Sequence, residues 1–150
     1  MPLNVVVDGA EKAVNDAYVV IGGVQKRVTK ITTIIGGAEK LVQQFADPLS
    51  MSITPLTISG GGSFSGPLVV TTDAATANVT GGLGPYTYVW TVTSGTGITV
   101  NSPSMASTTA RKTVISGDSD TGTLQCEVTD AIGQTATDTI EAFFTNFDFS

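Results

Sequence analysis

The sequence predicts an all-β chain in two parts, a module of three short β-hairpins followed by a sandwich or barrel, and three observations lead there. A fourteen-residue repeat with glycine at its centre runs through the first fifty residues. Beyond residue 67, short strand-like runs alternate with turn clusters at a spacing of roughly 8 to 12 residues, the mark of a closed or double-layered sheet. Composition agrees, because Thr occurs 24 times and Gly 17 times among 150 residues, an excess that favours strands and turns.

The repeat reads Val-Val-Asp-Gly-Ala-Glu-Lys-Ala-Val at 6–14, Val-Ile-Gly-Gly-Val-Gln-Lys-Arg-Val at 20–28 and Ile-Ile-Gly-Gly-Ala-Glu-Lys-Leu-Val at 34–42. Gly9, Gly23 and Gly37 coincide, as do Lys12, Lys26 and Lys40. An apolar β-branched run, a glycine turn and a second run describe a hairpin, with glycine supplying the positive φ that tight turns need. Residues 38–46 are also good helix formers, so a helix competes with the last strand there. A two-stranded hairpin is marginal in water, and residues 1–46 hold only Tyr18 and Phe45 as aromatics. The module is therefore expected to associate. An edge or apolar face bearing residues such as Val20 and Ile34 adds to a neighbouring sheet, or three copies close around a symmetry axis as a trimer. The competing arrangement packs the module on the second domain.

Residues 47–66 contain Asp47-Pro48, Thr54-Pro55 and Ser59-Gly60-Gly61-Gly62-Ser63, which is linker and turn chemistry. Met51 to Ile58 also reads as a first strand of the next domain, with the glycines as a bulge or loop. The sandwich is predicted over 67–150, with strand-like runs at 68–72, 76–80, 86–93, 97–101, 107–115, 123–129 and 135–144. One face of the third run carries Tyr86, Tyr88, Trp90 and Val92. One face of the sixth carries Leu124, Cys126 and Val128, and these two faces are expected to meet in the core.

Gly81-Gly82-Leu83-Gly84-Pro85-Tyr86-Thr87-Tyr88-Val89-Trp90, followed by Gly122-Thr123-Leu124-Gln125-Cys126-Glu127-Val128-Thr129-Asp130-Ala131-Ile132-Gly133, resembles the strand C and strand F signatures of immunoglobulin-like and PKD-like domains. The resemblance implies a sandwich with Trp90 as its core tryptophan and with Asp130 and Gly133 shaping the hairpin between the last two strands. It is incomplete. No second cysteine exists to pair with Cys126, and Leu124 stands where the tyrosine corner would place Tyr. Cys126 thus reads as a small buried hydrophobe, since no Lys or Arg lies within ten residues to depress its pKa.

The composition removes most catalytic designs. There is no histidine, the commonest general base and zinc ligand, and one cysteine supports neither a disulfide nor a thiolate metal site. Asp118-Ser119-Asp120 between Gly117 and Gly122 offers oxygens to calcium or forms a polar turn. Glu127, Asp130, Asp138 and Glu141 are too dispersed by strand alternation to make a paired-carboxylate site. No enzyme activity and no cofactor or metal are expected. Net charge is −6, with five Lys/Arg and five Asp/Glu in residues 1–50 and two against eight in 51–150, so nucleic acid is not an expected partner. The start, Met-Pro-Leu-Asn, lacks the pattern of a secretory signal, and no apolar stretch reaches the ~20 residues of a membrane helix.

Four of the six phenylalanines fall within the last eight residues. Phe144 is assigned to the core end of the last strand, whereas Phe147 and Phe149 are expected past it, as interface anchors or folded back over the sandwich. The copies at 18–28 and 33–42 resemble segments near the N-termini of tailed-bacteriophage virion proteins, which often append immunoglobulin-like domains. That resemblance implies a virion structural protein, in capsid decoration, neck or tail. Its partners would be other virion proteins, copies of itself and host-surface glycans. Two rival expectations are a bacterial surface or secreted adhesive module and a carbohydrate-active accessory domain, the latter requiring Tyr86, Tyr88 or Trp90 to be exposed.

Overall fold

The computed structural model describes residues 4–7, 10–13, 17–21, 24–28, 30–35, 38–44 and 46–148. The chain divides into two compact units, Met1–Asp47 and Pro48–Ser150. All described elements are strands.

In the first unit β1 (Asn4–Val7) pairs with β2 (Ala10–Ala13), β3 (Ala17–Ile21) with β4 (Val24–Val28), and β5 (Lys30–Ile35) with β6 (Ala38–Gln44). Each pair is antiparallel and forms a separate two-stranded sheet. The innermost partners are Val7↔Ala10, Ile21↔Val24 and Ile35↔Ala38, which leaves two residues to connect each pair. Gly9, Gly23 and Gly37 lie outside the described residues. The competing helix from Ala38 does not form. Seven helix formers are too few to nucleate a stable helix alone, and as strand β6 they find backbone partners along β5, with one register shift between Ile31 and Thr32.

The second unit has two layers. One is the four-stranded sheet β11 (Thr87–Ser94), β15 (Ser119–Thr129), β16 (Thr135–Phe147) and β8 (Thr57–Ser63), antiparallel except that β8 runs parallel to β16. The other contains the ladder β7 (Ser50–Thr54), β10 (Ala75–Thr80), β13 (Ser107–Thr108) and the ladder β9 (Leu68–Thr71), β14 (Ala110–Val114), β12 (Thr99–Val100). These two ladders are one sheet interrupted by a bulge. Between the pairs Thr71↔Arg111 and Ala75↔Thr108, the residues Thr72, Asp73 and Ala74 face only Thr109 and Ala110. The bulge is bonded rather than frayed: Thr72 N–H donates to Ala110 O at 2.9 Å, and Ala110 N–H donates to the Thr72 hydroxyl at 3.0 Å. Joined this way, the strands run β7, β9/β10, β13/β14, β12 in one layer and β11, β15, β16, β8 in the other. That is the strand order of an immunoglobulin-like sandwich.

Of the two alternatives for residues 47–66, linker or first-strand region, the segment takes the second, supplying β7 to one layer and β8 to the other. The glycines of β8 are there for closeness. A Cβ on Gly60 would stand 2.7 Å from Thr71 C and 2.9 Å from Val70 Cγ1, and one on Gly62 would stand 2.5 Å from Leu68 Cδ2. At Gly60 the backbone of β9 passes so near that any side chain would push the strand away. Strand β16 also runs further than its spacing predicts. Phe147 is its last residue, paired with Ser63, rather than a residue past the strand.

Alternation places Leu124, Cys126 and Val128 of β15 and Ile140, Ala142 and Phe144 of β16 inside, where they meet Ile53, Ile58, Val70, Trp90 and Val114. Trp90 is cross-strand from Cys126, its indole N–H donates to Met105 O at 2.9 Å, and its backbone N–H donates to Pro103 O at 2.8 Å. The segment at 103–105 thereby covers part of the β11 edge.

Replacing Gly60 with Val is expected to destabilise the sandwich by about 1–3 kcal/mol through overpacking against β9, whereas Ser59→Ala, on the exposed side of β8, should stay within about 0.5 kcal/mol. Urea unfolding followed by Trp90 fluorescence measures both.

Candidate functional site

The carboxylates that could carry chemistry hold the scaffold together. Asp130 follows β15 and is only 6% exposed. One carboxylate oxygen accepts hydrogen bonds from Leu83 N–H (3.0 Å) and the Gln134 side-chain amide (3.0 Å). The other accepts from Ile132 N–H (3.0 Å) and Gln134 N–H (2.8 Å). Burial opposes ionisation of this group. The backbone donors of Gln134, Leu83 and Ile132, with the Gln134 side chain, outweigh that and keep its pKa below the ordinary carboxylate value. Gly133, at φ 86°, closes the turn by donating to Asp130 O at 3.1 Å. One side chain thus ties the turn between β15 and β16 to the loop before β11.

Asp138 accepts from Ile53 N–H at 2.9 Å, linking β16 to β7 in the opposite layer. Asp120 forms an ion pair with Lys112, which is 9% exposed between the layers and also donates to Thr96 O. That Lys112 hydrogen bond, followed by one from Thr121 N–H, lowers the Asp120 pKa. Asp118 is exposed in the preceding turn, where its carbonyl accepts from Asn146 N–H at 2.9 Å. The pair expected either to meet calcium or to form a turn is therefore divided between a turn and an ion pair. Among the described residues no group of three or more His, Cys, Asp or Glu could hold a metal ion.

Glu127 and Glu141 are exposed, opposite Val89 and Thr57 respectively through the ladders that include them, so the four carboxylates do not converge. Trp90, Leu124, Cys126 and Val128 are buried, and Tyr86 and Tyr88 are half-buried against them, with Tyr86 OH donating to Gly81 O at 2.7 Å. Trp90 therefore offers no ring to a sugar. The Cys126 thiol is pushed up to about 11, first by burial and further by the nearby Asp138 and Glu127 charges, against an opposing backbone hydrogen bond from Val89.

What the sandwich does present is the outer face of its four-stranded sheet. Rows of side chains cross it: Thr87–Thr129–Thr135, Val89–Glu127–Thr137 and Thr91–Gln125–Thr139. At one end Phe143 and Phe147 stand 38% and 55% exposed, with Phe147 lying over Gly61. The face is rich in hydroxyls and methyls, with few charges. The two-residue spacing Thr135, Thr137, Thr139 signals it in the sequence; Lys112 and Asn146 are structural residues that sequence reading missed, and Phe143 is an exposed one. Phe149 lies outside the described residues, and Val20 and Ile34 are described only by their backbone pairing, with Gln25 and Glu39.

No protein-family model matches the chain, and no curated protein matches it. Solved structures do resemble it. A conjugative transposon lipoprotein from Bacteroides eggerthii is 11% identical over 63% of this chain and 95% of that one, with a TM-score of 0.35. The N-terminal Ig1-2 module of the Drosophila receptor protein tyrosine phosphatase DLAR is 16% identical over 68% of this chain and 50% of that one, TM-score 0.33. Tandem Ig repeats of Dlar are 20% identical over 64% and 47%, TM-score 0.32. The chain spans about half the length of these two Dlar structures. The immunoglobulin-like assignment itself rests on the strand order and register described above.

Two outcomes follow from the polar groups. Asp130→Asn loses acceptor capacity for buried donors and is expected to cost about 1–3 kcal/mol. Because the native carboxyl is held low, its contribution is complete above the ordinary carboxylate range and is lost as pH falls through its native value; melting temperature measured against pH should therefore fall less steeply in acid for the variant. Cys126 should react with a thiol reagent at pH 8 about a hundredfold or more slowly in the native protein than after unfolding.

Proposed function

We propose that this chain is a non-enzymatic structural component of a bacteriophage particle, in capsid decoration, neck or tail, anchored by Met1–Asp47 and displaying the immunoglobulin-like sandwich. The observation that carries the non-enzymatic part is the engagement of Asp120, Asp130 and Asp138 in holding loops and layers, together with burial of the one thiol. The resemblance of residues 18–28 and 33–42 to N-terminal segments of virion proteins supports the particle. The separate unit that carries those residues supports a division between anchor and display. The hydroxyl-rich sheet face supports weak contact with host-surface glycans.

A second reading, a bacterial surface or secreted adhesive module, draws on the same face with its exposed Phe143 and Phe147. Mass spectrometry and antibody-labelled electron microscopy of purified particles separate the two. The expected result is the chain at fixed positions on the particle; its presence on the bacterial envelope alone would favour adhesion.

Since the sandwich has its own core within Pro48–Ser150, deletion of residues 1–46 is expected to leave a cooperatively melting domain that no longer incorporates. Retained incorporation would place the anchor elsewhere, at Phe147 and Phe149.

A further inference from the structure

Strand β15 carries Thr121 and Thr123 on its outer side, and β16 carries Glu141 and Phe143 beside them, because the alternate residues Leu124, Ala142 and Phe144 are buried in the core. The register sets these side chains in two neighbouring rows. One runs Ser94–Thr123–Glu141–Thr57 and the other Thr121–Phe143–Ser59. Successive rows on one face of a strand stand about 7 Å apart, a spacing that one six-membered ring bridges. Ser94, Thr121, Thr123, Glu141 and Phe143 line an open depression of about 280 Å³, close to the ~300 Å³ lower end of small-molecule sites.

Two glycines fix its wall. Strand β11 has a register shift between Val92 and Ser94, and beyond it the chain lies directly against β15. A Cβ on Gly95, which has φ 93°, would stand 2.9 Å from Thr121 O, and one on Gly122 would stand 2.8 Å from Ser94 O. Residues 94–95 can touch 121–122 only without those side chains. The depression is thus formed in the chain by itself, and a ligand would not have to order it.

Its lining combines three kinds of group. Phe143 keeps part of its ring open to solvent. The Glu141 carboxylate and the hydroxyls of Ser94, Thr121 and Thr123 have no hydrogen-bond or ion-pair partner among the described residues, whereas Asp120, Asp130 and Asp138 are engaged. A carboxylate only accepts hydrogen bonds, and a hydroxyl both donates and accepts. A sugar ring matches that set, with an apolar C–H face for the aromatic ring and hydroxyls for the rest. Residues 51–150 hold two basic against eight acidic residues, and neither Arg111 nor Lys112 is in the two rows, so an acidic sugar would be repelled. An ammonium group would gain little from one exposed carboxylate and would leave three hydroxyls unanswered.

We propose that this depression is a subsite for one neutral pyranose of a glycan: the apolar face of the sugar lies on Phe143, its hydroxyls donate to the Glu141 carboxylate, and Ser94, Thr121 and Thr123 bond the remainder. This rests on the reading of the sheet face as a glycan contact and assigns that contact to named residues.

The test is titration of the isotope-labelled full-length chain with the methyl glycosides of glucose, galactose, mannose and N-acetylglucosamine, followed through backbone-amide shifts. At least one of them is expected to move the amides of residues 94, 121–123 and 141–143, with a Kd in the millimolar range. Phe143→Ala and Glu141→Gln should each weaken that binding about tenfold with melting unchanged, while Thr137→Ala, on the same face but outside the depression, should leave it as it was. Binding that survives both of the first two variants would sink the proposal. Sugars that move only other amides would overturn this assignment and leave glycan contact standing, whereas no shift with any of the four at ~100 mM would end both. Tetramethylammonium moving these amides where the sugars do not would give the depression to a cation instead.

Discussion

Strand β16 has two partners, antiparallel β15 and parallel β8, and the sandwich depends on its lying deep enough to keep both. Its inward residues Ile140, Ala142, Phe144 and Asn146 are all buried. The last is polar and fully buried, which is tolerable only because it is satisfied. The Asn146 side-chain oxygen accepts from Phe64 N–H at 2.9 Å, and its amide nitrogen donates to Gly66 O at 2.9 Å and Val114 O at 3.2 Å. Its backbone exchanges bonds with Gly117 and Asp118. One residue therefore holds the connection from β8 to β9, the end of β14 and the turn before β15.

Asp130 does the same for the turn between β15 and β16 and for the loop before β11, so different connections are tied down by different polar side chains. Between them the apolar core needs no disulfide. Asp120, Asp130 and Asp138 are drawn into hydrogen bonds or an ion pair, and Lys112, one of two basic residues beyond position 50, is turned inward. The exterior that remains is hydroxyl-rich and weakly acidic.

The two units meet the problem of small size differently. The sandwich closes its layers around Trp90 and Phe144 and covers part of its β11 edge with residues 103–105. Among the described residues the first unit forms three separate antiparallel pairs, the third with a register shift between Ile31 and Thr32.

Alternation alone determined which side of β15 faces inward, because a period of two leaves Leu124, Cys126 and Val128 no other common face, and it assigned Trp90 to meet them. The strand character of the first unit was legible in its β-branched runs, which favour extended backbone locally. Tertiary structure decided what depends on neighbours distant in sequence. Gly60–Gly62 looks like a linker until β9 is seen passing against it, and Asp118 and Asp120 look like a pair until Lys112, eight residues before Asp120, claims one of them. Asn146 is an unremarked residue in the sequence and a junction in the fold. Local backbone and side-chain preferences are written in short windows of sequence, whereas close approach and buried polar pairing exist only once the layers have come together.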